Sequence, residues 1–267
     1  MEKTTHYLEA GKGEPLILIH GVGLDSTIWA QQMEALSKEY RVISYDMMGH
    51  GLSASPPGPY HIHQFVKQLD HLLADLAIEK AHIVGFSMGG LVAQAFAAQV
   101  PEKVISLVIV SSVTNRTGEQ RQAVLSRVQE VEQKGHLTTI DAAIQRWFTT
   151  DFMDEYPEVI QRIRHRLQSN QPDAYLAAYR VFATADEELY PQLPQILCPT
   201  LVVTGELDGG STPEMARIMA EKIPHAQVKV LEGIRHMLPI EAVSQLNQIL
   251  LDHLQTCKGR RESTWLS

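Results

Sequence analysis

The chain has 267 residues, of which 44% are hydrophobic and 20% are charged, and its net charge is −8. This composition is typical of a folded globular protein and excludes a disordered tail. The acidic balance argues against a protein that binds nucleic acid through its phosphates, because such proteins present clusters of Lys and Arg.

Short apolar segments alternate along the chain with segments of helical spacing. The apolar segments predict strands at residues 15–20, 40–46, 81–86, 104–112, 199–205 and 226–232. The other segments predict helices at residues 65–76, 89–99, 213–223 and 242–254. Most of the strands are nearly continuous runs of Val, Ile and Leu, as in parallel strands that are covered on both faces. The predicted fold class is therefore α/β, with a doubly wound, mostly parallel sheet.

The alternation is interrupted in the middle of the chain, where residues 115–191 contain no predicted strand and have helical spacing. We interpret this segment as a helical cap inserted between two strands, above the sheet edge at which open α/β sheets bind ligands. A separate helical domain is the alternative, but the buried-strand pattern resumes at residues 199–205. The predicted organisation is a core domain of residues 1–114 and 192–257, a cap of residues 115–191, and a loose C-terminal tail of residues 258–267.

Residues 85–89 read GFSMG and match the G-x-S-x-G motif, with a predicted strand before it and a predicted helix after it. In this setting the motif forms a tight turn that projects a serine hydroxyl from the sheet edge. Glycines at positions 85 and 89 avoid collisions with neighbouring backbone. The helix that follows directs its free N–H groups at developing negative charge. Ser87 is thus a candidate nucleophile, and the alternative is a glycine-rich turn with an incidental serine.

A serine nucleophile needs a histidine base that is held by an acid, and with this motif the chain order is Ser, acid, His. Asp208 follows the strand predicted at 199–205, and His236 follows the strand predicted at 226–232. Both lie at the carboxyl ends of strands, at the edge where Ser87 is expected to project. Glu206 is a rival acid, but it would leave its strand on the wrong side of the turn. The rival histidines precede Ser87 in the chain and are His20, His50, His61, His63 and His82.

Stabilising the negative charge that develops during acyl transfer requires two backbone N–H donors. The N–H of Met88, directly after the candidate nucleophile, is the first. The second is expected from the loop after the strand at 15–20, which reads His-Gly-Val-Gly, and we assign it to Val22. A simple glycine turn is the alternative interpretation of this loop.

These motifs resemble those of the α/β-hydrolase superfamily over residues 5–255. The sequence looks most like the 3-oxoadipate enol-lactonase and meta-cleavage product hydrolase branch in four segments: HGVGLDSTIW, GFSMGGLVAQAFAAQVPEKV, RWFTTDF and PTLVVTGELDGGSTPEMARIMAEKIPHA. The resemblance implies the α/β-hydrolase fold, with Ser87 as nucleophile, Asp208 as acid and His236 as base. One departure is Met48, which replaces the arginine usual in the family's D-x-R-G-x-G-x-S pattern. It removes a permanently charged group on which substrate specificity could depend.

The predicted function is a serine hydrolase that cleaves a small carboxylic ester or lactone through an acyl-enzyme. Hydrolysis of a carbon–carbon bond in a ring-cleavage product is an alternative within the same branch, and a perhydrolase side activity stays open. A ligand-binding protein of hydrolase fold without turnover is the alternative from another class. Trp147 is a candidate for lining the substrate pocket, although a Trp at helical spacing is often a core residue. Candidate cations for an acidic substrate are Arg146, Arg162, Arg164, Arg166 and Arg180.

The remaining expectations concern partners and location. Two cysteines, Cys198 and Cys257, are too few for a disulfide framework, and neither belongs to a CxxC motif. No apolar run approaches the 18 residues of a membrane span, and the N-terminus lacks a signal pattern. We therefore expect a cytoplasmic protein that acts on a small molecule without cofactor, metal, membrane or nucleic acid. A homo-oligomer is left open.

Overall fold

The computed structural model describes residues 5–264. Its strands are β1 (Tyr7–Ala10), β2 (Glu14–Ile19), β3 (Tyr40–Tyr45), β4 (Ala81–Phe86), β5 (Val104–Val110), β6 (Thr200–Gly205) and β7 (Ala226–Leu231). Its helices are α1 (Ala30–Leu36), α2 (Ile62–Asp75), α3 (Met88–Gln99), α4 (Gly118–Lys134), α5 (Ile140–Trp147), α6 (Thr150–Glu155), α7 (Pro157–Gln168), α8 (Pro172–Leu189), α9 (Pro213–Lys222), α10 (Leu238–Glu241) and α11 (Val243–Thr264).

Within the described residues the strands form one seven-stranded sheet in the order β1-β3-β2-β4-β5-β6-β7. All neighbouring pairs are parallel except β1 and β3. The predicted α/β class with a mostly parallel sheet is confirmed. Strand β1 was not predicted, because its four residues YLEA form a half-exposed edge and contain no apolar run.

Both faces of the sheet are covered, as the continuous apolar strands require. In β2, Ile17 and Ile19 join the core cluster that packs beneath α2 and α3, whereas Leu16 and Leu18 join the cluster on the opposite face with α1 and α11. Side chains of a strand alternate between faces, so one short segment supplies two cores. This packing holds the carboxyl ends of the strands, where the candidate site lies, on a rigid base.

The interval between β5 and β6 contains helices α4 to α8, and we keep the name cap for residues 115–191. Within the cap, a buried ion pair joins the segment before α4 to α8, with the Arg116 guanidinium 2.6 Å from Asp186. Asp186 also pairs with Arg121 at 3.0 Å. The attraction of two cations thus offsets the free-energy cost of removing one carboxylate from water.

Helix α11 runs through the start of the segment predicted as a loose tail and ends at Thr264. Cys257 is buried, and the Lys258 ammonium lies 3.9 Å from the centre of the Tyr40 ring, so contacts with the core extend the helix. Residues 265–267 of the predicted tail lie outside the described residues. Across residues 5–264, the structure contains no helix with the length and apolar character of a membrane span.

Candidate active site

Ser87 lies at the turn between β4 and α3 in a strained backbone conformation, with φ of 54° and ψ of −115°. A non-glycine residue in this region costs on the order of 1–3 kcal/mol, and such strain persists only where the surroundings impose it. Here the Ser87 N–H donates to the Val110 carbonyl at 2.8 Å, and the Ser87 carbonyl accepts from the Ser112 hydroxyl at 2.7 Å. Strand β5 and the residues after it therefore hold the turn in place.

The glycines on either side of Ser87 are required by close backbone contacts. A Cβ on Gly85 would overlap the carbonyl oxygen of Gly89. A Cβ on Gly89 would overlap the carbonyl oxygens of Ile19 and His20. The turn packs directly against the end of β2, as the G-x-S-x-G interpretation predicts.

The structure brings the three predicted side chains Ser87, His236 and Asp208 together, although they are distant in sequence. Nε2 of His236 lies 3.1 Å from Oγ of Ser87, and Nδ1 of His236 lies 2.6 Å from Oδ2 of Asp208. All three residues are buried. The other Asp208 oxygen accepts hydrogen bonds from the N–H groups of Gly210 and Ser211, both at 2.9 Å. The carboxylate is thus held with one oxygen facing the histidine.

The rival residues lie elsewhere. The Glu206 carboxylate accepts the Gly233 N–H at 3.0 Å, so it supports the backbone of the loop before His236. His82 is bonded to Ser106 and Glu14, 2.7 Å and 2.9 Å away. His61 caps α2 and stacks on His63.

The sequence predicts an oxyanion donor in residues 20–25, and we call this segment the oxyanion loop after that prediction. It contains a histidine whose tautomer follows from its partners. Nε2 of His20 accepts the Met47 N–H at 2.9 Å, so Nδ1 carries the proton and donates to the Gly21 carbonyl at 2.7 Å. The same carbonyl accepts the Leu24 N–H at 3.2 Å. Because C=O and N–H of a trans peptide point in opposite directions, these bonds fix the direction of the Val22 N–H.

Burial lowers the pKa of His20, which favours the neutral form that these hydrogen bonds require. Its neighbour His50 has its ring centroid 5.1 Å away. Burial, and secondly the repulsion between the two imidazoles when both are protonated, lowers the pKa of His50 to about 3. The histidine pair behind the oxyanion loop is therefore neutral at neutral pH.

Asp46 ties the segment after β3 to the residue that directly follows the oxyanion loop. Its carboxylate accepts the N–H groups of Ser26 at 2.7 Å and of Leu52 at 2.8 Å. Burial alone raises the pKa of Asp46, but these hydrogen bonds outweigh burial and lower the pKa overall. In the same segment Met48, at the position of the family's arginine, packs against the core and donates its N–H to Gln68 at 2.8 Å.

A cavity of about 490 Å³ lies over Ser87, between the core and the cap, and we call it the Ser87 cavity. Val22, Asp208 and His236 line it together with Trp147, whose ring lies 6.0 Å from the His236 ring between centroids. Aromatic cap side chains that also line it are Tyr175, Tyr179 and Phe182. Among the described residues, no group of three or more His, Cys, Asp or Glu side chains could hold a metal ion.

Arginines that line the Ser87 cavity are Arg127, Arg146 and Arg235. Arg127 donates to the Tyr179 hydroxyl at 3.2 Å. In the part of the chain that the structure describes, neither Arg127 nor Arg146 forms an ion pair with a carboxylate. Partial desolvation, and then the charge of Arg127, lowers the pKa of Arg146. An arginine stays protonated even so, and the cavity therefore carries unneutralised positive charge.

Of the five cap arginines considered from the sequence, Arg146 lines the Ser87 cavity and the other four do not. Arg164 pairs with Asp141, and Arg180 pairs with Glu132 at 2.6 Å. Arg162 and Arg166 line a separate groove of about 1070 Å³ between the cap and the core surface near α1 and α10. Helical spacing does not reveal which face of a cap helix turns toward the sheet. Arg127, on α4, was missed for the same reason. Arg235 was missed because it lies in the loop between β7 and α10, and only cap arginines were considered.

Comparison with known proteins identifies the family to which the chain belongs. Residues 14–243 match the family described as the alpha/beta hydrolase fold. An (E)-2-((N-methylformamido)methylene)succinate hydrolase from Acinetobacter baylyi is 35% identical over 254 residues, which cover 95% of each chain. The 3-oxoadipate enol-lactonase 2 of the same organism is 34% identical over 232 residues, covering 87% of this chain and 85% of that one.

Solved structures agree with this assignment. The enol-lactonase from Burkholderia xenovorans LB400 matches with a TM-score of 0.88 and 31% identity, over 94% of this chain and 96% of that one. A malate-bound thermophilic esterase from Thermogutta terrifontis matches with a TM-score of 0.87 and 30% identity, over 95% and 93% of the two chains. The resemblance inferred from the motifs is confirmed, and the chain belongs to the α/β hydrolase fold family.

Proposed function

We propose that the protein is a serine hydrolase that cleaves a small carboxylic ester or lactone through an acyl-enzyme. The observation that carries this proposal is the pair of hydrogen bonds that links Ser87 to His236 and His236 to Asp208 at the floor of a cavity. The names of the related enol-lactonases and esterase support an ester or lactone as the bond that is cleaved.

The mechanism follows from the roles that this geometry allows. As Ser87 attacks the carbonyl carbon, Nε2 of His236 accepts the hydroxyl proton, and Asp208 stabilises the imidazolium through Nδ1–H. The N–H groups of Val22 and Met88 donate to the negative oxygen of the tetrahedral intermediate. Met88 is the first residue of α3, where a helix N–H has no acceptor within the helix.

The intermediate collapses when His236 returns the proton to the leaving oxygen, which departs as an alcohol or, in a lactone, stays attached to the acyl group. A water molecule then attacks the Ser87 ester, and His236 accepts one of its protons. The second tetrahedral intermediate releases the carboxylic acid and restores the Ser87 hydroxyl. Acylation and deacylation therefore use the same base and the same oxyanion donors.

Trapping the acyl-enzyme tests the proposal. We expect a fluorophosphonate to add one equivalent of label, located on Ser87 by mass spectrometry, and 4-nitrophenyl hexanoate to give a burst of one equivalent of nitrophenol. A protein that takes up no label and releases no nitrophenol would be a ligand-binding protein of this fold. Turnover of a ring-cleavage dienolate, with no turnover of esters or lactones, would instead favour carbon–carbon bond hydrolysis.

We further propose that the substrate carries a carboxylate in addition to the bond that is cleaved. Arg127 and Arg146 reach the cavity that contains Ser87, and their positive charges lack a carboxylate partner among the described residues. Arg146 belongs to α5 and Arg127 to α4, so two cap helices supply the charge. Arginine binds carboxylates through paired N–H donors, which suits a planar anionic group.

A matched pair of esters tests this part of the proposal. We expect Arg127→Met and Arg146→Met each to lower kcat/KM for the mono-4-nitrophenyl ester of adipate by about 10- to 100-fold, because each removes a charge-assisted contact worth about 1.5–3 kcal/mol. For neutral 4-nitrophenyl hexanoate, kcat/KM should change by less than about threefold. Arg180→Met, which removes a surface arginine paired with Glu132, is the control variant. Equal losses on both esters would show that the arginines do not recognise a carboxylate.

A further inference from the structure

The loop that carries His236 is bonded to the end of a cap helix. The N–H groups of His236 and Met237 both donate to the Trp147 carbonyl, at 3.0 Å and 3.1 Å. Arg235 donates to the carbonyls of Phe148, at 3.1 Å, and of Gln145. These carbonyls lie at the C-terminal end of α5, where the last turn of a helix leaves carbonyl oxygens without partners and carries partial negative charge. The positively charged Arg235 complements that end.

Helix α10, which follows the His236 loop, also contacts the cap. Glu241 of α10 accepts the Thr149 N–H at 3.1 Å and also accepts the Thr149 hydroxyl. Thr149 in turn caps α6, because its hydroxyl accepts the Phe152 N–H at 3.3 Å. Residues 235–241 therefore bind the junction between α5 and α6 through both backbone and side chains.

A second cap helix holds the oxyanion loop. Nδ2 of Asn170, just after α7, donates to the Gly23 carbonyl at 2.8 Å. Oδ1 of Asn170 accepts from Arg166 at 2.7 Å, and Arg166 lies 3.4 Å from the Asp25 carboxylate. Asn170 is buried, and its amide oxygen and nitrogen are both hydrogen-bonded. Asp25 and Gly23 flank Leu24, whose N–H helps to fix the Gly21–Val22 peptide.

From these contacts we infer that the cap positions the catalytic groups, with Arg235 as the positioning residue for the base and Asn170 as the positioning residue for the oxyanion donor. The inference rests on the proposed function. The base and the Val22 donor belong to different loops of the core, and each loop is bonded to a cap helix. Helices α5 and α7 contact each other, so the cap joins the two loops. A displacement of about 1 Å in either group can slow a reaction by about 100-fold.

Arg235 lines the Ser87 cavity, and so the test must separate positioning from substrate binding. We expect Arg235→Met to lower kcat for neutral 4-nitrophenyl hexanoate by about 10- to 100-fold, with KM changed by less than about threefold. The rate of fluorophosphonate labelling of Ser87 should fall by the same factor. Arg235→Lys keeps a donor that can reach one carbonyl, and it should recover part of kcat. Arg217→Met, on the exposed face of α9, is the control and should match the wild type.

Asn170→Ala tests the second contact with the same ester. We expect a 10- to 100-fold lower kcat with little change in KM, because the Gly23 carbonyl loses its partner and the Val22 donor is less well fixed. Circular dichroism and thermal unfolding confirm that each variant is folded before its rate is interpreted.

The outcomes separate the two proposals. If the wild type is labelled by the fluorophosphonate and the rates of Arg235→Met and Asn170→Ala equal its rate, the positioning role is overturned. The proposed hydrolase function is then unaffected. A loss in Arg235→Met that is confined to the adipate half-ester would assign Arg235 to substrate binding and overturn its positioning role. A wild type that is neither labelled nor active would overturn the proposed function and this inference with it.

Discussion

Substitution of Ser87 by alanine is expected to lower kcat for 4-nitrophenyl hexanoate by about 10⁴- to 10⁶-fold and to abolish the nitrophenol burst. The hydroxyl that His236 contacts at 3.1 Å is the only group that this change removes. Alanine at the same backbone angles carries the same strain as serine, so the turn should be retained. In the variant, water would attack the bound ester directly, and the remaining rate would come from stabilisation of that transition state by the oxyanion donors.

Steady-state kinetics with purified Ser87→Ala, followed by fluorophosphonate treatment, gives the measurement. Ser55→Ala, in an exposed loop, carries the same chemical change away from the cavity and should keep the wild-type rate. Thermal unfolding should place both variants within a few degrees of the wild type, about the shift that 1 kcal/mol produces in a domain of this size. A Ser87→Ala protein that retains the burst would show that another residue is acylated.

The fold was largely predictable because a strand that is buried on both faces of the sheet has a continuous run of apolar residues in the sequence. Strand β4 was predicted at its observed bounds of 81–86, since it lies in the centre of the sheet and every residue is buried. Strand β1 at the edge escaped prediction, because only its hydrogen bonds to β3 and not its composition define it. Edge elements depend on the neighbouring strand more than on their own residues.

The proximity of the three candidate side chains was predictable to the extent that local motifs and chain order define their positions. Ser87, Asp208 and His236 were selected because each follows a predicted strand, and the parallel sheet brings those strand ends together. The partners of these groups were not predictable. His20, Asn170 and Arg235 form hydrogen bonds with segments that are distant in the sequence, and no single-sequence pattern marks such pairs.

The second large effect is expected for Asp208→Asn, which should lower kcat by about 10⁴-fold at neutral pH. Oδ1 of Asp208 accepts the N–H groups of Gly210 and Ser211, so the oxygen of an asparagine must take that position. Its NH₂ group then faces Nδ1 of His236 and can only donate to it. His236 is thereby held with its proton on Nε2, and Nε2 cannot accept the proton of Ser87.

Glu206→Gln is the matched control, because it removes one carboxylate charge two residues away in the same loop. Glu206 accepts the Gly233 N–H, a bond that a glutamine oxygen can also accept, so kcat should stay within about threefold of the wild type. The pair of variants therefore separates loss of negative charge from loss of the acceptor at Nδ1. If Glu206→Gln proved as damaging as Asp208→Asn, the general field of the loop and not the tautomer of His236 would set the rate. If Asp208→Asn stayed near wild-type activity, Asp208 would have no part in holding the base.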